Sequence, residues 1–406
     1  MEGASSSQQG PQSEIATFFT LEQLNKLKSH FEEGGVKGVT DLIKQKLAEL
    51  DKIELNIAVT GESGTGKSSF INAMRGLRNT DEGAAEVGVT ETTMEPTKYP
   101  HPSQPNVSYW DLPGIGSINF PAGEYLQKMK FERYDFFIII SAGRFKENEG
   151  KLAEDIKRLE KKFYFVRTKI DLDFYSMRMG GSKINEKKML HDIRSECVKN
   201  LQKTRILTPP VFLISSFEWD EYDFNQLNKT LEDNLPYIKK SIFVLAYANR
   251  SVEIVQQKSK MLQERIWMSA TISGAVGAVP VPGVSLACDI GILTEEIMYF
   301  RKCLGLDGPS LQKLANITNK PVKELRAVVN PSLLETINED TIARLWWGAT
   351  AVAVSVAEVA LDFIPVIGSI FGAVSSFYMT RRILTNALKD FTESAVKVVK
   401  VAYGID

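Results

Sequence analysis

Gly61-Glu62-Ser63-Gly64-Thr65-Gly66-Lys67-Ser68 fits the pattern G-x-x-x-x-G-K-[ST]. It follows an apolar run, Asn56 to Thr60, and opens a stretch with helical spacing. In that setting the glycines let backbone N–H groups close around phosphate oxygens, and the helix N-terminus adds the positive end of its dipole. Lys67 then reaches the β- and γ-phosphates, and the Ser68 hydroxyl ligates Mg²⁺. The candidate contacts along the loop are Gly61, Glu62, Gly64, Thr65, Gly66, Lys67 and Ser68.

Trp110-Asp111-Leu112-Pro113-Gly114 is a second constellation. Asp111, at the end of the apolar run Val107 to Trp110, can hold a Mg²⁺-bound water, and the Gly114 N–H can sense a γ-phosphate. Thr168-Lys169-Ile170-Asp171 is the third. The Asp171 carboxylate can accept from the N1–H and the exocyclic amine of guanine, a donor pair adenine lacks, while the Lys169 stem covers the ring. The motifs therefore select GTP over ATP. Thr168 stands where Asn is usual, so one stabilising side-chain bond differs. Ser215-Ser216, after the apolar run Val211 to Ile214, falls where a loop would contact the base, although serines after a strand are common turn residues.

Between the first two motifs, Val87-Gly88-Val89-Thr90-Glu91-Thr92-Thr93 has the position of a switch loop over the γ-phosphate, with three threonines competing for the metal-sensing role. Glu91 is either a solvated loop acid or a residue that positions water or a partner's nucleotide. Ile115 occupies the place of a water-orienting Gln, so the site lacks a hydrolytic part worth roughly 10³ to 10⁵ in rate. Slow turnover, accelerated by self-association or a partner, is the expectation. Arg144 and Lys146 are candidate helpers or plain solvated cations. The competing class is a GTP-binding scaffold that hydrolyses negligibly.

These motifs need strands to hold them. Short apolar runs, Leu55 to Val59, Val107 to Trp110, Phe136 to Ile140, Phe163 to Val166 and Val211 to Ile214, alternate with amphipathic segments such as Ser68 to Arg75, Glu149 to Lys161 and Glu186 to Leu201. That alternation predicts an α/β domain with a mostly parallel sheet covered on both faces. Residues 1–13 read as a disordered leader, 14–50 as two helices, 51–236 as the nucleotide-binding domain and 237–406 as helices throughout, with a boundary near Pro236.

The chain has 406 residues, with 49 Lys and Arg against 50 Asp and Glu, so no global field recruits nucleic acid or an anionic bilayer. Three Cys, with no paired metal spacing, point to reduced thiols in a cytosolic compartment. The first twelve residues lack the apolar region of a secretory signal, and Glu2 displaces the glycine that myristoylation requires. Two C-terminal stretches are unusually apolar. Ile266 to Cys288 carries no charge but is broken at Val279-Pro280-Val281-Pro282-Gly283, and Leu345 to Thr380 is interrupted by Glu358, Asp362 and Pro365. They read as helical hairpins that either press into a bilayer, flanked by Arg381-Arg382, or form the buried centre of the helical domain. The acids favour the second. Ser394 to Ala402 reads as an amphipathic docking helix in either case.

With those residues in view, the chain resembles the immunity-related GTPases, the interferon-inducible family of vertebrate cells. The strings that carry the likeness are NIAVTGESGTGKSSFIN (56–72), residues 83–95, WDLPGIGSINF (110–120), YDFFIIIS (134–141), FYFVRTKID (163–171) and PPVFLISS (209–216), within about residues 15–265. The resemblance implies a P-loop GTPase domain and a helical domain built from both chain ends. It implies GTP and GDP binding, Mg²⁺, and nucleotide-dependent homodimers or oligomers that speed hydrolysis. Related GTPases as further partners, and a cytoplasmic protein peripherally associated with vacuolar, ER or Golgi membranes around intracellular pathogens, follow from it too. Gly64, Gly66, Lys67, Ser68 and Ser69 match its phosphate and metal residues, and Lys169, Asp171, Ser215 and Ser216 its base residues. Glu91 and Thr93 match switch residues that face the nucleotide and the partner subunit. Lys67 places the chain with the effector-like branch, since a regulatory branch carries Met there.

Overall fold

The computed structural model describes residues 53–88, 95–114, 129–181, 185–204, 206–219, 221–277, 284–334, 337, 342 and 368–405. Two compact units result, Lys52–Ala248 and a second that includes Asn249–Asp406. The first holds a six-stranded sheet in the order β2-β3-β1-β4-β5-β6. The strands are β1 (Leu55–Gly61), β2 (Thr97–Pro100), β3 (Val107–Asp111), β4 (Phe136–Ala142), β5 (Lys162–Thr168) and β6 (Val211–Leu213). All neighbouring pairs are parallel except β2 with β3. The polar edge strand β2 is announced by no apolar run, and its Pro100 is tolerated because an edge strand leaves one row of backbone groups unpaired.

Interior strands of such a sheet are buried on both faces, which is why they read as near-continuous apolar runs. Leu55, Ile57 and Val59 face one core layer with Phe70, Ile71, Leu227 and Phe243, under helices α1 (Lys67–Met74), α5 (Phe224–Asp233) and α6 (Tyr237–Ala246). Phe137, Ile139, Phe163 and Phe165 face the other with Leu152, Ile156, Phe174 and Leu201, under α2 (Glu147–Arg158), α3 (Ile170–Met179) and α4 (Glu186–Lys203). Each such side chain contributes about 1.5–3 kcal/mol by leaving water. Helix α6 lies beyond the boundary drawn at Pro236, yet Phe243 seats it in the sheet core. Its apolar stripe could belong to either unit, and spacing alone does not reveal which surface it covers.

The second unit is built on α7 (Val252–Gly277), α8 (Val284–Cys303) and α12 (Gly368–Tyr403), with α9 (Gly308–Thr318), α10 (Val322–Ala327) and α11 (Pro331–Leu334) between the last two. The long helices α7 and α12 pack most extensively, burying Val255, Leu262, Ile266 and Ala270 with Leu384, Leu388, Phe391 and Ala395. Ala395, Val398, Val399 and Ala402 are all buried, so the amphipathic stretch at 394–402 is the docked end of α12. The arms of the first apolar segment lie in α7 and α8, with 278–283 outside the described residues. There Ile266, Ser269, Ala270, Ile272 and Ser273 are buried within the unit. Most of the second segment, 343–367, lies outside the described residues, as do 1–52. Among the described residues no helix is long and apolar enough to cross a membrane.

Candidate functional site

The C-terminal ends of β1, β3, β5 and β6 carry the motifs, as expected of an open, mostly parallel sheet that binds ligand beyond its strand ends. Gly61 ends β1 with φ 143°, and a Cβ there would meet the Ile140 carbonyl oxygen at 2.1 Å. Only glycine lets the loop leave the sheet so close to β4. The loop then runs to Gly66, which caps α1. Lys67 is buried and its Nζ donates to the carbonyls of Glu62 (3.1 Å) and Gly61 (3.4 Å), so the ammonium is held inside the loop's own curl.

Ser68 Oγ donates to Asp111 Oδ2 at 2.7 Å, joining the start of α1 to the end of β3. A hydroxyl and a carboxylate side by side are hard oxygen donors, the set that suits Mg²⁺. Gly114 closes the same corner: a Cβ on it would stand 2.9 Å from the Ser63 amide nitrogen. Ser69 is half-buried beside Ser68, and its hydroxyl accepts from Asn79 Nδ2 at 3.4 Å. Glu62 forms an ion pair with Lys146, the residue that caps α2, and this carboxylate pushes the Lys146 ammonium above its ordinary range.

The base-side motif is tied to the same loop. Thr168 Oγ1 donates to the Thr65 carbonyl (2.7 Å) and lies 3.1 Å from that of Ser141. The threonine thus straps β5 to the phosphate loop and to β4. Lys169 takes a left-handed conformation, φ 62°, and its Nζ reaches the Gly64 carbonyl at 2.8 Å. Asp171 sits half-buried in the first turn of α3, and among the described residues no hydrogen bond engages its carboxylate. The Ser215 hydroxyl accepts from the amides of Phe217 (3.1 Å) and Glu218 (3.2 Å), so it shapes the turn after β6. The Ser216 carbonyl accepts from Trp219 Nε1 at 2.6 Å.

The structure therefore brings Gly61 to Ser69, Asp111, Gly114, Lys169 and Asp171 to one edge of the sheet. Glu91, Thr93 and Ile115 lie outside the described residues. Other side chains were silent in the sequence. Arg133 stacks on the Trp110 ring at 3.9 Å, while Trp110 Nε1 donates to Asn56 at 2.8 Å, clamping the strand end that carries Asp111. Arg167, just before Thr168 in β5, and Glu149, in the first turn of α2, are both buried. The one available signal was a charged residue inside an apolar run, Phe163 to Thr168.

A parallel sheet with a phosphate loop after β1, D-x-x-G after β3 and T-K-x-D after β5 defines a P-loop GTPase fold. Residues 20–399 match the family described as Interferon-inducible GTPase (IIGP). Interferon-gamma-inducible GTPase 10 of Mus musculus is 42% identical over 324 residues, covering 79% of this chain and 78% of the relative. Interferon-inducible GTPase 5 of Bos taurus is 39% identical over 386 residues, covering 95% and 83%. Interferon-inducible GTPase 1 of Mus musculus is 41% identical over 323 residues, covering 79% and 78%. The chain belongs to the interferon-inducible, or immunity-related, GTPase family, and it binds GTP and hydrolyses it to GDP.

Proposed function

We propose that this chain is a self-activating GTPase that assembles in its GTP-bound state at intracellular membranes and acts in cell-autonomous immunity. The observation that carries the catalytic part is the corner where Lys67, buried on its loop carbonyls, adjoins the 2.7 Å Ser68–Asp111 pair. Lys67 Nζ exchanges those carbonyls for phosphate oxygens and neutralises charge as the β–γ bond breaks. Ser68 and Asp111 would hold Mg²⁺, directly and through water, and the bound ion supplies further neutralisation of the same oxygens. Gly61, Glu62, Gly64, Thr65, Gly66 and Ser69 shape the cradle, and the Gly114 N–H reports the γ-phosphate. Asp171 reads guanine, Lys169 covers its face, and Ser215 and Ser216 set the loop beside it.

Ile115, where a water-orienting Gln would stand, supports completion of the site from a second copy, with Glu91 and Thr93 facing the shared nucleotide. Residues 14–50 would complete the helical unit, as their periodicity suggests. The peripheral membrane role rests on the family resemblance, since the described arms of the first apolar segment are buried within the helical unit. The carriage of all nucleotide motifs on one sheet edge, together with Lys67, favours this reading over a non-hydrolysing scaffold.

Turnover of GTP per molecule, measured over a hundredfold range of protein concentration with Lys67→Ala as control, tests the proposal. Specific activity that climbs with concentration, and vanishes in the variant, is expected. Flat, near-background turnover despite tight GTP binding would assign the protein to the scaffold class.

A further inference from the structure

Arg167 is an anomaly in β5. It interrupts an apolar strand, its side chain is only 5% exposed, and it lies on the face covered by α2 and α4. Its guanidinium has two partners: Nη1 donates to the carbonyl of Thr168, and Nη2 donates to Asp173 Oδ2 at 2.5 Å. Those partners flank the segment Lys169-Ile170-Asp171-Leu172. A planar fork with fixed donor directions therefore spans the turn from the strand end to the first turn of α3.

The other side of the guanidinium carries a second observation. Arg167 Nε is buried and has no hydrogen-bond partner among the described residues, whereas the buried Ser141 hydroxyl lies close enough to the Glu149 carboxyl to favour its ionised form. Ser141 stands directly opposite Arg167 in the β4–β5 register. Glu149, fully buried in the first turn of α2, receives the Lys146 amide on its other oxygen at 3.1 Å.

We infer that Arg167, acting with Asp173, is a positioning residue that fixes Asp171 for two-point recognition of guanine. A buried ion pair is often no more stabilising than apolar residues of similar volume, so packing alone does not account for a guanidinium at this place. Every partner it has on the outer side belongs to the loop that carries Asp171. This inference rests on the reading of Asp171 as the guanine-recognising carboxylate.

Calorimetric titration of the full chain with GDP and with IDP, which lacks the exocyclic amine, separates positioning from simple stability. For Arg167→Met, GDP affinity falls about thirtyfold and IDP affinity about threefold, so the preference for GDP contracts about tenfold. Arg167→Lys, which keeps the charge but not the fork, behaves like the Met variant. Asp173→Asn, at a partly exposed position, gives a smaller contraction and remains informative if the Arg167 variants do not fold. Equal losses for GDP and IDP across these variants would overturn the inference. Asp171→Ala is the reference: if it leaves the GDP preference intact, the base reading itself fails. If it abolishes the preference while Arg167→Met and Asp173→Asn preserve it, only the positioning role fails.

Discussion

In the sheet unit, one group of buried polar side chains, Lys67, Asp111, Thr168, Arg167 and Glu149, lies on or next to the segments that follow β1, β3, β4 and β5, each at or below 8% exposure. In the helical unit they are strung between helices, far in sequence from any nucleotide motif. Lys258 on α7 donates to the Cys303 carbonyl at the end of α8 at 2.8 Å. Arg265 on α7 meets both oxygens of Glu296 on α8 at 3.1 and 2.8 Å. Ser273 on α7 donates to Asp289 on α8 at 2.5 Å and contacts Thr380 on α12 at 2.8 Å, while Ser376 donates to Asp289 at 2.9 Å. The first arrangement concentrates charge where a ligand's phosphates and base can answer it. The second distributes charge so that three helices fit in only one register, since any slip would strand a buried donor or acceptor.

Breaking each arrangement separates them. The largest effect is expected from Lys67→Ala, which removes the buried ammonium held on the Gly61 and Glu62 carbonyls and lowers GTP turnover by about 10²- to 10³-fold. Its urea midpoint stays near that of the unaltered chain, and a collapse of stability would show that Lys67 is structural. Arg265→Met should cost about 3–5 kcal/mol in urea unfolding, because Glu296, at 1% exposure, is left charged and unpaired. GDP affinity should not change, and adding Glu296→Leu should recover most of the loss. Failure of that recovery would mean the pair does more than neutralise itself.

The pH dependence of the helical unit sharpens the comparison further. Burial pushes the Lys258 ammonium down to about 8 from an ordinary 10.5. Below about pH 8 both folded and unfolded chains carry the proton, and the cost of burying it is constant. Between about 8 and 10.5 the unfolded chain binds more protons than the folded one, so stability rises with pH by about 2–3 kcal/mol. Lys258→Met should flatten that slope in urea titrations at successive pH values, and an unchanged slope would remove Lys258 as its source. The smallest effect belongs to Thr168→Val, which deletes the strap to the Thr65 carbonyl at constant volume. It should weaken GDP binding by about 1 kcal/mol, read by calorimetry.

The phosphate loop, Asp111 and the Thr168–Asp171 motif were legible because their chemistry fixes residue type and spacing along a continuous stretch. The sheet was legible because two-sided burial produces unbroken apolar runs such as Phe136 to Ile140. Strand β2 was not, since Thr97–Pro100 pairs on one edge only and carries no apolar signature. Helix α3 was also missed: Ile170 and Phe174 are its only two buried residues, and the rest of its surface shows no period that points inward. Arg167 and Glu149 escaped notice for a different reason. A charged residue is ordinarily solvent-facing, and only the packing around β5 and α2 reveals that each of these two is buried. The register-setting pairs of the helical unit are invisible for the same reason, because Arg265 and Glu296 are separated by a complete helical turnabout.

Cys197 and Cys303 give each unit its own internal reporter. Cys197, on the buried face of α4, lies in the sheet core, and burial pushes its thiol up to about 11. Cys303 is 1% exposed at the end of α8. The thiolate is the nucleophile that attacks an alkylating reagent, so neither buried sulfur reacts until its surroundings open. Rates of labelling at the two positions, read peptide by peptide, would time the breathing of the nucleotide-binding half and of the helical half independently. They would show whether GTP tightens one half or both.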